Sequence, residues 1–202
     1  MLLYNRLFGP TSTFLIAIKV DKSMSSKRPP ESLHMDAMDK WDAFCRATNA
    51  VNLPPPDNPD IVDKLESVFA FSDFVAENCT RELRIFAELV SSSDLQRKYP
   101  PQAYADKLSR IVQAAADETD LGQLMRTFRC REMIRITWRD LFTWSDLSET
   151  MGDPSAFADA CSNESLTYLH ERLCGEYGTP MDADGTPQHL VIIGMGKLGG
   201  QS

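Results

Sequence analysis

The chain has 202 residues, 43% of them hydrophobic and 25% charged, enough to bury one substantial core. Its formal net charge of −8 speaks against a nucleic-acid partner recognised through a bulk positive field. Five scattered cysteines without a C-x-x-C pair, and histidines 34, 170 and 189 standing far apart, favour reduced thiols in a cytoplasmic protein over a zinc site. The acidity is uneven. Residues 1–60 hold seven basic and seven acidic side chains, so the imbalance lies in 61–202.

Residues 1–30 show no periodic pattern, and S-M-S-S-K-R-P-P (23–30) reads as a linker, with Met24 or Met35 as alternative starts. Phe14 to Val20 is too short for a membrane span and is broken by Lys19, and no window reaches the roughly 18 apolar residues needed. Leu33, Met35, Met38, Trp41, Phe44 and Cys45 give a loose helical spacing, stopped by P-P-P-D-N-P. Ile61, Leu65, Val68, Phe69, Phe71 and Phe74 predict the next helix, with Ser72 as N-cap of a further turn. Leu83, Phe86, Ala87 and Val90 continue to S-S-S at 91–93, and Tyr104, Leu108, Ile111, Val112 and Ala115 mark another helix.

The longest predicted helix carries Leu121, Leu124, Met125, Phe128, Cys130, Ile134, Trp138 and Leu141. A last one runs from about Ser155 to Tyr177 with Phe157, Ala160, Cys161, Leu166, Leu169 and Leu173 inward, ended by Gly175 and Gly178. T-P-M-D-A-D-G-T-P (179–187) is a surface turn, lacking the ligand ladder of a calcium loop. Leu190 to Ile193 is a short apolar, β-branched run of the kind that forms a buried strand. The fold class is therefore mainly α: a helical bundle leading into the first strand and glycine turn of an incomplete α/β core. The divisions are a flexible leader with one helix (1–59), a helical lead-in (60–187) and the start of the core (188–202).

Two features carry chemistry. After the strand come Gly194, Gly196, Lys197, Gly199 and Gly200, where glycine allows close approach of backbone N–H groups to phosphate oxygens. The spacing fits G-x-G-x-x-G of a dinucleotide fold and also the glycine turn of a nucleotidyltransferase, whereas Leu198 after Lys197 breaks a P-loop match. The second feature is Arg131, Arg135 and Arg139, spaced by four beside the apolar stripe. They either bind an anion or pair with carboxylates, Glu132 and Asp140 among them. Arg126 and Arg129 point away from the row. Trp41, Trp138 and Trp144 are core or core-edge residues without a catalytic role.

L-E-S-V-F-A-F-S-D-F-V-A-E (65–77), F-R-C-R-E-M-I-R-I-T-W-R-D-L (128–141), E-Y-G-T-P (176–180) and V-I-I-G-M-G-K-L-G-G (191–200) resemble the glutamine synthetase adenylyltransferase family. These are bifunctional enzymes with two nucleotidyltransferase copies, one attaching AMP to a tyrosine of glutamine synthetase and the other removing it by phosphorolysis. M-I-R-I-T-W-R-D-L and G-M-G are more similar to the adenylyl-removing copy. The resemblance implies glutamine synthetase as partner, a nitrogen-signalling regulatory protein as a further one, and Mg2+ with ATP or ADP as ligands of the intact family. It also implies that Glu-Leu-Asn and then Ser-Asp-x-Asp, which holds the metal, follow the glycine turn, whereas here Ser202 stands in the place of the glutamate. These 202 residues are therefore expected to bind nucleotide weakly and to be inactive alone. Two alternatives stand beside this: a non-catalytic helical module that binds glutamine synthetase or a regulator, and a truncated dinucleotide-binding oxidoreductase.

Overall fold

The computed structural model describes residues 29–54, 56, 58–100 and 102–194. Seven helices follow one another among these: α1 Glu31–Ala50, α2 Pro59–Phe71, α3 Asp73–Arg81, α4 Leu83–Ser91, α5 Ala103–Ala114, α6 Glu118–Leu141 and α7 Leu147–Tyr177. The architecture is mainly α.

The breaks between the early helices come from single residues. Asn58 caps α2, its side chain accepting from the Asp60 N–H at 3.0 Å, and Pro59 takes the first helical position, where no backbone donor is needed. Ser72 serves twice. Its own N–H closes α2 on the Val68 carbonyl at 2.9 Å, and its hydroxyl accepts from the Val75 N–H at 3.2 Å to open α3. Glu82 alone separates α3 from α4, its N–H reaching the Asn78 carbonyl at 2.8 Å.

The described residues fall into two compact units. The first takes those up to Lys98 together with Arg126–Thr150. Its core gathers Phe44 of α1, Ile61, Leu65, Val68 and Phe69 of α2, Val75, Ala76 and Cys79 of α3, Leu83, Phe86 and Leu89 of α4, Leu95, and Ile134 and Trp138 of α6. Aromatic rings run through it. Phe44 meets Phe69 and Phe86 edge-on at 5.7 and 5.8 Å, and Phe86 lies 5.5 Å from Trp138. Trp41 and Trp144 pack half-buried at its margin.

The second unit takes Tyr99–Met125 and the residues from Met151 onward. Tyr104 of α5 sits edge-on between Tyr99, at 5.4 Å, and Phe157 of α7, at 5.7 Å. Leu108, Val112, Leu121, Met125, Ala160 and Cys161 are buried with them.

Several expectations need correction. On α1 the buried positions are Ala37, Phe44 and Thr48, so the inward stripe passes through Ala37 and Met35 and Met38 face solvent. Periodicity alone ranked the larger methionines first. Phe74 is also exposed, because Ser72 restarts the helix and rotates the register. The longest helix is α7, with 31 residues against 24 in α6. It begins at Leu147 rather than near Ser155, because Asp146 accepts from the Glu149 N–H at 2.8 Å, and it continues through Pro154. Leu173 is exposed rather than inward. Gly178, at φ +86°, closes α7 in the left-handed region that favours glycine, its N–H on the Cys174 carbonyl at 3.0 Å.

Candidate functional site

Arg131, Arg135 and Arg139 lie along one side of α6, only 8%, 0% and 2% exposed. Four-residue spacing stacks them at successive turns, and Ile134 and Trp138 beside them enter the core. Their guanidinium groups are occupied by the protein itself. Arg131 donates to Glu88 from Nε at 2.7 Å and from Nη2 at 3.0 Å, to Asp94 at 2.7 Å, and also to Glu132. Arg135 donates to the Asp94 carbonyl at 3.1 Å and the Arg97 carbonyl at 2.6 Å, and faces Glu132 at 4.0 Å. Arg139 donates to Glu149 from Nε at 2.9 Å and from Nη2 at 2.6 Å, to the Trp144 carbonyl at 3.0 Å, and to the Gln96 carbonyl.

The row therefore does two things. It meets carboxylates from α4, α6, α7 and the 92–98 loop, and it donates to carbonyls of both loops that flank it. Of the two carboxylates that sequence put beside it, Glu132 meets the row, whereas Asp140 accepts from the Thr150 hydroxyl at 2.9 Å. Sequence reasoning missed Glu88, Asp94 and Glu149. None has a helical spacing to the arginines, so only the fold could bring them in.

At the end of the row, Lys98, Thr143, Trp144, Ser145, Asp146 and Glu149 line an open hollow of about 510 Å³. Lys98 lies 3.7 Å from Asp146 and 3.5 Å from Glu149. The Glu149 N–H, and then the Lys98 charge, hold the Asp146 carboxyl below the usual aspartate range. Thr143 turns the chain at φ 53°.

The second predicted feature is reached only at its edge. Leu190 to Ile193 form no strand and are 54–80% exposed, and no neighbouring strand is present among the described residues to complete a ladder. Before them, Asp182 shapes the 179–187 turn by accepting from the Asp184 and Thr186 N–H groups at 2.9 Å, with Gly185 at φ +80°. Gly194 is exposed. Gly196, Lys197, Gly199 and Gly200 lie outside the described residues. Among the described residues, no three histidine, cysteine, aspartate or glutamate side chains are arranged around a common centre for a metal ion. No helix there is long and apolar enough to cross a membrane.

A family model described as glutamate-ammonia ligase adenylyltransferase matches residues 62–202. The chain belongs to that family. The matched stretch holds both the arginine row and the glycine run. Three relatives are named bifunctional glutamine synthetase adenylyltransferase/adenylyl-removing enzyme. The one from Pseudomonas aeruginosa is 40% identical over 139 residues, 68% of this chain and 14% of the relative. That from Thioalkalivibrio sulfidiphilus is 37% identical over 172 residues, 85% of this chain and 17% of the relative. That from Shewanella loihica is 32% identical over 182 residues, 89% and 18% respectively. The chain thus spans under one fifth of the length of these adenylyltransferase relatives.

Proposed function

We propose that these residues form the helical lead-in and first core segment of a cytoplasmic nucleotidyltransferase acting on glutamine synthetase, belonging to the copy that removes AMP by phosphorolysis of adenylyl-tyrosine. The observation that carries this reading is the continuous family match over 62–202, which joins the helical region to G-M-G-K-L-G-G. The names of the relatives, which pair adenylyl transfer with adenylyl removal, support it. In this reading the backbone N–H groups at Gly194, Gly196, Gly199 and Gly200 and the Lys197 ammonium orient the phosphate oxygens of ATP or ADP. Magnesium, where bound, neutralises phosphate charge during transfer. No acidic residue follows Gly200 in these 202 residues, so this stretch by itself supplies no carboxylate beyond the glycine turn.

The test uses adenylylated glutamine synthetase, inorganic phosphate and Mg2+. The 202-residue chain is expected to release no ADP above the blank, and sustained ADP release would refute the account of the missing carboxylates. A second reading, a helical module that binds glutamine synthetase or a nitrogen-signalling regulator without catalysis, is favoured by the extensive core around α1–α4 and the second half of α6. Saturable retention of the chain on immobilised glutamine synthetase supports the module; no retention removes it.

A further inference from the structure

At the end of α7 a histidine approaches a cysteine, and a second histidine, distant in sequence, packs on the first. Cys174 Sγ lies 3.5 Å from His170 Nε2, one helical turn earlier. The His170 ring in turn lies against His189, with centroids 5.6 Å apart and planes tilted by 50°. All three belong to the second unit. Cys174 and His170 are half-buried and His189 is exposed.

The other four thiols have different surroundings. Burial pushes the Cys79 thiol well up, and Cys161 is buried. Burial and then the Asp42 charge raise Cys45, and burial and then the Glu82 charge raise Cys130, which also donates to Asn78 Oδ1 at 3.3 Å. A thiol attacks as its thiolate, so an adjacent imidazole that takes the proton and stays beside the anion favours reaction.

We propose that Cys174 is a modification site, a thiol activated by His170 for exchange with small disulfides of the glutathione class. The S–H proton passes to His170 Nε2 and the sulfur attacks one sulfur of the reagent. The reagent's S–S bond breaks, and the departing thiolate collects a proton from His170. Cys174 is oxidised to a mixed disulfide and half of the reagent is reduced to a free thiol, so no other oxidant is needed. The adduct grows beside the His170–His189 pair, on the segment that leads to the glycine run.

The full chain is incubated with glutathione disulfide, quenched with acid and mapped by peptide mass spectrometry at all five cysteines. Cys174 is expected to react about tenfold faster than half-buried Cys45. His170→Asn is expected to slow Cys174 several-fold and leave Cys45 unchanged, a ratio within one molecule that a general loosening of the fold does not produce. Where His170→Asn makes Cys79 reactive and so betrays unfolding, His170→Gln gives the same readout. Equal rates at Cys174 and Cys45, or an unchanged Cys174 rate in the folded histidine variant, overturn the proposal.

Discussion

Arg135→Met removes the most deeply buried guanidinium of the row while keeping an unbranched apolar stem. Two carbonyls, Asp94 and Arg97, lose donors at 3.1 and 2.6 Å, and Glu132, itself 0% exposed, loses a cation at 4.0 Å. Each buried acceptor left unsatisfied costs about 1–3 kcal/mol. Removing one partner of a buried pair costs about 3–5 kcal/mol, and the two accounts overlap rather than add. The expected loss is therefore about 3–5 kcal/mol, a fall of about 2 M in the urea midpoint at an m-value near 2 kcal/mol/M. Urea unfolding followed by tryptophan fluorescence reads this directly, since Trp138 lies in the core one turn away. The comparator is Arg172→Met, which breaks an exposed 3.8 Å pair with Glu118 and is expected to cost under about 1 kcal/mol. Adding Glu132→Gln to Arg135→Met is not expected to restore the loss, because Glu132 remains paired with Arg131. If Arg135→Met costs no more than Arg172→Met, the row does not hold the loops and the reasoning fails.

Other perturbations test other levels of the structure. Ser72→Ala removes the cap that opens α3 and is expected to cost about 1 kcal/mol in the same urea assay, whereas no change would show the cap is idle. Lys40 is partly desolvated, which works against its charge, but hydrogen bonds to Asp36 and Asp73 outweigh this and raise its pKa above 10.5. Its contribution is therefore complete below the ordinary lysine range and is lost as pH rises through the raised value. Thermal melts at increasing alkalinity should show wild type declining more than Lys40→Met, and parallel curves would contradict the assignment. Val191 and Ile193 are 78% and 80% exposed, so replacing both with serine should lower light scattering at high protein concentration. Unchanged scattering would mean that another surface controls association.

Helix positions were legible where the signal was local. The Ser72 stop-and-start and the Gly178 ending are each encoded in one residue, and the structure uses both, whereas Asn58–Pro59, legible only as part of a stop, also starts α2. The misplacements came from tertiary context. Ala37 outranks Met35 and Met38 as an inward residue because α1 approaches its neighbours along the face shared with Phe44 and Thr48. The last helix is expected from about Ser155, yet Asp146 caps it two turns before Pro154 and the Arg139–Glu149 pair holds its first turn. A missing N–H at one position does not outweigh those contacts.

The arginine row shows where a sequence pattern loses its information. Spacing by four states that three cations share a side of α6; it cannot state what they meet. An anion site and an internal seam have the same pattern, and they differ only in where Glu88, Asp94 and Glu149 fold. Those carboxylates come from 37 to 43 residues before Arg131 and 10 residues after Arg139. Such a buried network gains little over apolar packing in net stability, because desolvation of each charge opposes its attraction. What it does supply is geometry: two irregular loops, 92–98 and 142–146, and the first turn of α7 are tied by their carbonyls and carboxylates to fixed positions on one helix. An apolar replacement could fill that volume but could not donate to the Asp94, Gln96, Arg97 and Trp144 carbonyls. The row is best understood as a device for fixing loop conformation. That is why charge removal at its buried centre, rather than at its rim, is the decisive test.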